Sequence, residues 1–133
     1  RDLFHYCAYH LQTIANNVRD VDLAIRWGFG WQQGPFETWQ VIGLAEMRVL
    51  IESGIAAKSS LSQAQLPEWL AKIDDFYSSA GAYAPLQNDY KPRSTLPVYH
   101  RQFFPDQVLN EKSHPGKTIF ENEGVHLWHL KDE

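Results

Sequence analysis

The sequence predicts a mainly α protein: a small helical bundle, then an extended proline-rich arm, then a C-terminal β-hairpin. Three observations lead to this. Apolar residues recur at helical spacing through most of residues 1–77. Five of the seven prolines fall between Pro85 and Pro115, where they block helix and favour extended or turn backbone. Residues 117–130 change to a period of two on either side of Asn122-Glu123-Gly124. The predicted division is a helical domain over 1–79, and an arm with a hairpin over 80–133 that leads toward a further domain.

Size and charge narrow the function classes. A chain of 133 residues buries roughly two thirds of its unfolded surface and holds one core without staples. The formal charge of −4 argues against a nucleic-acid binder, which needs a basic face. The charge is uneven: residues 1–90 carry 6 Lys/Arg against 10 Asp/Glu, and residues 91–133 carry 6 of each. No apolar run reaches the roughly 20 residues of a membrane span. Cys7 is the single cysteine, which permits no internal disulfide and fits a cytoplasmic setting. The chain begins at Arg1 without a leader pattern and ends at Glu133 without a terminator, so a piece of a longer protein is expected.

Residues 2–17 form the first predicted helix, with Leu3, Phe4, Cys7, Ala8, Leu11, Ile14 and Ala15 on its apolar stripe. His5 and His10 do not share a helical face and read as surface or boundary residues. Asn17-Val18-Arg19-Asp20 resembles a capping box, opening a short helix to about Trp27 whose apolar side is Val21, Ala24 and Ile25. Gly28 reads as its left-handed stop. Asp20 and Asp22 read as capping and dipole residues. Pro35 suits a first helical turn and starts a helix to Gly43 with Phe36, Trp39 and Ile42 on one face. Leu44 to Ser53 is the next helix, with Leu44, Met47, Val49, Leu50 and Ile51 as core candidates and Gly54 as its stop. Residues 55–65 read as a loop. Pro67 opens a fifth helix to about Phe76 with Leu66, Trp69, Leu70 and Ile73 inward. Along the arm, Tyr99 and Phe103-Phe104 are expected anchors. The hairpin follows, with Gly124 expected at positive φ. Its His126 and His129, three apart on a strand, point to opposite faces and make a poor metal pair.

Between the second and third helices runs Trp27-Gly28-Phe29-Gly30-Trp31-Gln32-Gln33-Gly34-Pro35-Phe36-Glu37-Thr38-Trp39, with five aromatics and three glycines. It reads as an ordered turn, with Trp27, Phe36 and Trp39 fastening it into the core. Its glycines follow a helix, not a strand, so neither a dinucleotide nor a phosphate loop is present. There is no zinc-ligand spacing. Cys7 on an apolar stripe reads as an inert buried thiol. No complete catalytic constellation emerges, and no catalytic, cofactor-binding or metal residue is assigned.

The segment from Arg19 to Trp39 closely resembles the C-terminal helical domain of NAD-dependent 3-hydroxyacyl-CoA dehydrogenases. The shared pattern is filled here by Asp22, Ala24, Gly28, Gly30, Gly34, Pro35, Phe36 and Gly43, and the resemblance covers residues 1 to about 54. Phe76-Tyr77 and the tail are similar to the large bacterial version fused to an enoyl-CoA hydratase (crotonase) domain. One position departs: Gln40 stands where the family usually has Asp, so a charged brace there is lost.

The resemblance implies a bundle like the 6-phosphogluconate dehydrogenase C-terminal domain, and a parent that oxidises 3-hydroxyacyl-CoA to 3-oxoacyl-CoA in fatty-acid β-oxidation. The family's catalytic His–Glu pair and serine belong to a preceding Rossmann domain, and its asparagine to the first of two helical repeats. Asn16 and Asn17 do not match that asparagine's context. This chain resembles the second repeat, which implies packing, interdomain or dimer contacts and part of the acyl-CoA cleft wall. Its implied partners are the Rossmann domain, the sister repeat and a second copy in a homo-oligomer. NAD is implied for the parent and not for this piece. The competing reading is a stand-alone helical module whose aromatic turn holds a peptide or acyl chain. Exposure of Trp27, Trp31 and Trp39 favours that reading, and burial favours the first.

Overall fold

The protein is represented by a computed structural model that describes residues 1–96 and 117–129. The chain divides into two compact units, one holding Arg1–Ser94 and the other holding the hairpin.

The first unit has four α-helices: α1 (Asp2–Ile14), α2 (Val18–Phe29), α3 (Pro35–Ile42) and α4 (Leu44–Ala56). A 3-10 turn over Glu68–Lys72 follows. A three-stranded antiparallel sheet then forms from β1 (Tyr77–Ser78), β2 (Gly81–Ala84) and β3 (Asp89–Lys91), in sequence order. Tyr77 pairs with Ala82, and Tyr83 with Tyr90. One core joins helices and sheet: Leu11, Val18, Phe36, Trp39, Ile51, Leu70, Phe76, Tyr77 and Ala82 are among its most buried members.

Mainly α holds, and most helices lie where their periodicity puts them, but the boundaries and faces differ. α1 stops at Ile14 because Ala15 turns extended (φ −150°). Asn17 then caps α2, its side chain accepting from the Asp20 N–H at 3.3 Å. Gly28 is inside α2, and the left-handed stop is Gly30 at φ +69°. Gly54 is likewise inside α4, whose end lies two residues further on. Ala24, Ile42, Val49 and Leu50, expected inward, are exposed, as are Leu3 and Ile14. His5, expected at the surface or boundary, is buried.

The largest difference is after Pro67. The expected helix to Phe76 is one 3-10 turn, and Ile73 is already extended (φ −130°). Residues 80–91, read as part of the arm, form β2 and β3 and belong to the first unit. Strands of two to four residues are too short to display a period of two. Pro85, which suggested an open arm, opens a tight turn instead: Gln87 N–H donates to Ala84 O at 3.1 Å, and Asn88 sits at φ +52°. Tyr99, Phe103 and Phe104 lie outside the described residues.

The second unit contains β4 (Lys117–Glu121) and β5 (His126–His129), paired antiparallel with Thr118 opposite Trp128 and Phe120 opposite Leu127. The register shifts between Thr118 and Phe120, so Ile119 is the extra residue of a bulge. The Asn122 side chain closes the turn, accepting from the Gly124 and Val125 N–H groups at 2.9 and 2.8 Å. Gly124 is not among the positive-φ glycines, so the Asn122 side chain does the work expected of a left-handed glycine.

Candidate functional site

The aromatic turn delivers α3 to α2 tip-first, and the contact between them organises the unit. A helix start leaves its first N–H groups without intrahelical partners. At α3 each is accounted for. Pro35 has none to satisfy. Gly34 N–H donates to the Glu37 carboxylate at 2.6 Å, half of a capping box. Glycine has no side chain for the other half, and Asp22 of α2 supplies it. Asp22 Oδ1 accepts from Phe36 N–H at 2.8 Å, and Oδ2 from Glu37 N–H at 3.0 Å. Thr38 N–H then begins the normal ladder, donating to Gly34 O. The α3 cap is thus carried by another helix.

This explains Gly34 sterically: a Cβ there would collide with Asp22 Cα, Cβ and Oδ1. Behind the cap, Arg26 Nη1 donates to Glu37 Oε1 at 3.3 Å, with both side chains mostly shielded. Tyr77 of β1 donates its hydroxyl to Asp22 Oδ2 at 2.6 Å, tying the sheet to the same carboxylate. Asp22 is 0% exposed. Burial pushes its carboxyl up to about 7, against the pull of the Tyr77 hydroxyl and the Phe36 amide. Burial also raises Tyr77, with Asp22 adding to the effect. The Cys7 thiol is pushed up to about 12 by burial, the condition of a packing residue and not a nucleophile.

Gln40 is a second brace. Its Oε1 accepts from the Phe76 and Tyr77 N–H groups at 2.8 and 2.7 Å, and its Nε2 donates to Tyr77 O at 3.1 Å. The amide behaves like a neighbouring strand. A carboxylate could take the two N–H groups but has no hydrogen for Tyr77 O.

The aromatics divide. Trp39 stacks on Phe4 (ring centroids 5.8 Å) and meets Phe76 edge-on (5.1 Å). Phe36 also packs against Phe76, at 4.9 Å. These are the expected core pins. Trp27, expected with them, is 62% exposed, and Trp31 is 48% exposed. Trp27 lies in the last turn of α2, which runs on to Phe29, and it sits on the helix's exposed side. Trp31, Gln32, Gln33 and Thr38 line an open groove of about 620 Å³. A second groove of about 470 Å³ lies on α1. Among the described residues, no three His, Cys, Asp or Glu side chains converge to hold a metal ion, and no helix is long and apolar enough to cross a membrane.

Sequence reasoning singled out Asp22, Gly34, Pro35, Phe36 and Trp39 and marked position 40 as a brace between helices; it missed Tyr77, and Gln40 braces the strand after Phe76 instead of a helix. The signal for Tyr77 was available in Tyr77-Ser78-Ser79-Ala80-Gly81, a turn-forming string between apolar residues. Among the described residues the positive-φ glycines, Gly30, Gly43 and Gly81, end helices or flank a hairpin. None lies between a strand and a helix, so these residues do not fit a nicotinamide dinucleotide.

No family model matches the chain, and no solved structure matches it. Over 70 residues, or 53% of this chain, it is 37% identical to the probable 3-hydroxyacyl-CoA dehydrogenase of Bacillus subtilis (strain 168). The matched stretch is 8% of that protein's length. The likeness supports the 3-hydroxyacyl-CoA dehydrogenase family and spans a small part of its relative.

Proposed function

We propose that this chain is the second helical repeat of a larger bacterial 3-hydroxyacyl-CoA dehydrogenase of fatty-acid β-oxidation. In this reading the parent is cytoplasmic, uses NAD, and is of the kind fused to a crotonase domain. The bundle would resemble the 6-phosphogluconate dehydrogenase C-terminal domain. The chain contributes packing and part of the acyl-CoA cleft wall, while the Rossmann domain and the sister repeat supply the catalytic groups. A homo-oligomer would use the face that packs on the sister repeat.

The observation behind this reading is the 37% identity over 70 residues. The geometry supports it in kind. The carboxylates of Asp22 and Glu37 and the Gln40 amide serve a helix cap or a brace. The exposed Trp27, Phe29 and Trp31 are the side chains a neighbouring domain would cover. The same exposure favours the stand-alone module, but the burial of Trp39 removes the third ring that reading needs.

Two measurements test the proposal. Full-length protein should reduce NAD with 3-hydroxybutyryl-CoA, followed by absorbance, and the isolated chain should not. Calorimetry should show no saturable NAD binding to the isolated chain. A full-length protein inert toward 3-hydroxyacyl-CoA overturns the parent assignment. Saturable NAD binding here overturns the division of labour.

A further inference from the structure

α1 is apolar on two sides. Cys7, Ala8 and Leu11 face the core, while Leu3, Tyr6, Tyr9 and Ile14 are exposed. Leu3, Tyr6, His10 and Ile14 follow one another at steps of three and four, so they form one stripe up the outer side. Tyr9 lies beside it, its ring edge-on to His10 at 5.0 Å. No Asp, Glu, Lys or Arg falls between Asp2 and Arg19. The neighbouring helices differ: α2 exposes Asp20, and α4 exposes Glu46 and Glu52. Hydrophobic surface all round is the mark of a buried helix, and charge depletion with enriched tyrosine marks an interface core.

The two ends of the stripe are complementary. The groove of about 470 Å³ lies toward the N-terminal end, with Leu3, Tyr6 and Leu61 in its walls. Its loop wall is fixed: Leu61 N–H donates to Asp2 Oδ1 at 3.0 Å, and Arg1 Nη2 donates to Ser59 O at 2.7 Å. At the C-terminal end Ile14 projects, 61% exposed. One helix thus carries both a hole and a knob.

We infer that two copies of this chain dimerise through the outer face of α1, helix against helix and antiparallel, about a two-fold axis near Tyr9. Ile14 lies five residues past Tyr9, so the two-fold lays it at the level of the other copy's Leu3 and Tyr6, where the groove is. Both grooves fill at once, and the contact closes on itself. Charge argues for this occupant. Two chains of charge −4 repel each other, so self-association needs a face without charge, and α1 supplies one. The area is sufficient. Leu3, Tyr6, Tyr9, Ile14 and the 92% exposed Leu61 offer roughly 600 Å² per copy, taking ~200 Å² for a large side chain. The pair would bury roughly 1,200 Å², the lower edge of specific interfaces. The inference does not rest on the dehydrogenase reading.

Sedimentation equilibrium of the 133-residue chain should find a monomer–dimer equilibrium with a Kd on the order of 1–100 μM. Tyr9→Lys sets two lysines face to face across the axis, and Ile14→Glu brings a carboxylate to the other copy's Asp2. Each change, at an exposed position, should raise the Kd at least roughly tenfold, with far-UV circular dichroism unchanged. Val49→Lys, on the exposed side of α4, should leave the Kd as it is. Isotope-filtered NMR on mixed labelled and unlabelled chains should connect Ile14 of one copy to Leu3 or Leu61 of the other. Three results overturn the inference. One is a chain still monomeric at about 1 mM, which leaves the face to a different protein. Another is a set of intermolecular contacts centred on the hairpin or on Trp27 and Trp31. The third is an unaltered Kd in both Tyr9→Lys and Ile14→Glu.

Discussion

Asp22 carries more of this molecule than any other side chain, because it accepts from α3 twice and from β1 once. Asparagine can accept at one oxygen, but its NH2 group would face a second backbone donor. Asp22→Asn should therefore cost about 1–3 kcal/mol, the penalty of an unpaired buried donor, measured by urea unfolding. Asp22 also sets a pH dependence. Its folded pKa lies near 7, above the ordinary 3.8, so the folded state binds a proton there more readily than the unfolded chain does. The resulting stabilisation is complete below about pH 4 and fades as pH rises through 7. The urea midpoint should fall between about pH 4 and 7, and Asp22→Asn should flatten that fall. An unchanged slope in the variant would assign the dependence to another group. Gln40→Ala leaves the Phe76 and Tyr77 amides without their acceptor, and about 1–3 kcal/mol should again be lost.

At the scale of elements, the turn-to-α3 junction tests which aromatics are pins. Trp39→Ala should cost ~3–5 kcal/mol as a large buried deletion. Trp27→Ala should cost under about 1 kcal/mol, as surface changes do. Pro35→Ala should cost little, since alanine also suits a first turn. Equal losses at Trp27 and Trp39 in thermal unfolding would contradict the exposure difference between them. These contrasts mark what was legible in the sequence. Pro35, Gly34 and the flanking aromatics announce a helix start through strong local rules. Trp27 and Trp39 have the same residue type and similar neighbours, and Trp39 faces inward because Phe4 and Phe76 pack against it. Gly28 and Gly30 are equivalent on paper. The structure places the stop at Gly30 and leaves Trp27 exposed. Beyond the turn string at Tyr77–Gly81 the sheet was hard to read for another reason: strands of two to four residues are specified by their partners. Gln40 holds β1 from 36 and 37 residues away, and no local pattern encodes that.

For the molecule as a whole, the helices are not independent of the sheet. Phe76 contacts Phe36, Trp39 and Trp69, and Trp69 stacks on Tyr83 of β2. A chain cut after residue 79 keeps every helix but loses β2 and β3, uncovering Trp69 and Tyr77. It should lose its cooperative thermal transition, while a chain cut after residue 94 should keep it. Near-UV circular dichroism on the two pieces distinguishes a helical domain that stops at 79 from one that includes the sheet.

The exported cap changes what α3 is. A helix that carries its own cap can flicker into shape before it meets anything else. α3 has eight residues, too few to persist alone in water, and it keeps its N-terminal acceptor on a different helix. It exists only while α2 is docked. Local and global opening therefore merge at this spot, so the Phe36 and Glu37 amides should exchange with solvent only through unfolding of the entire unit.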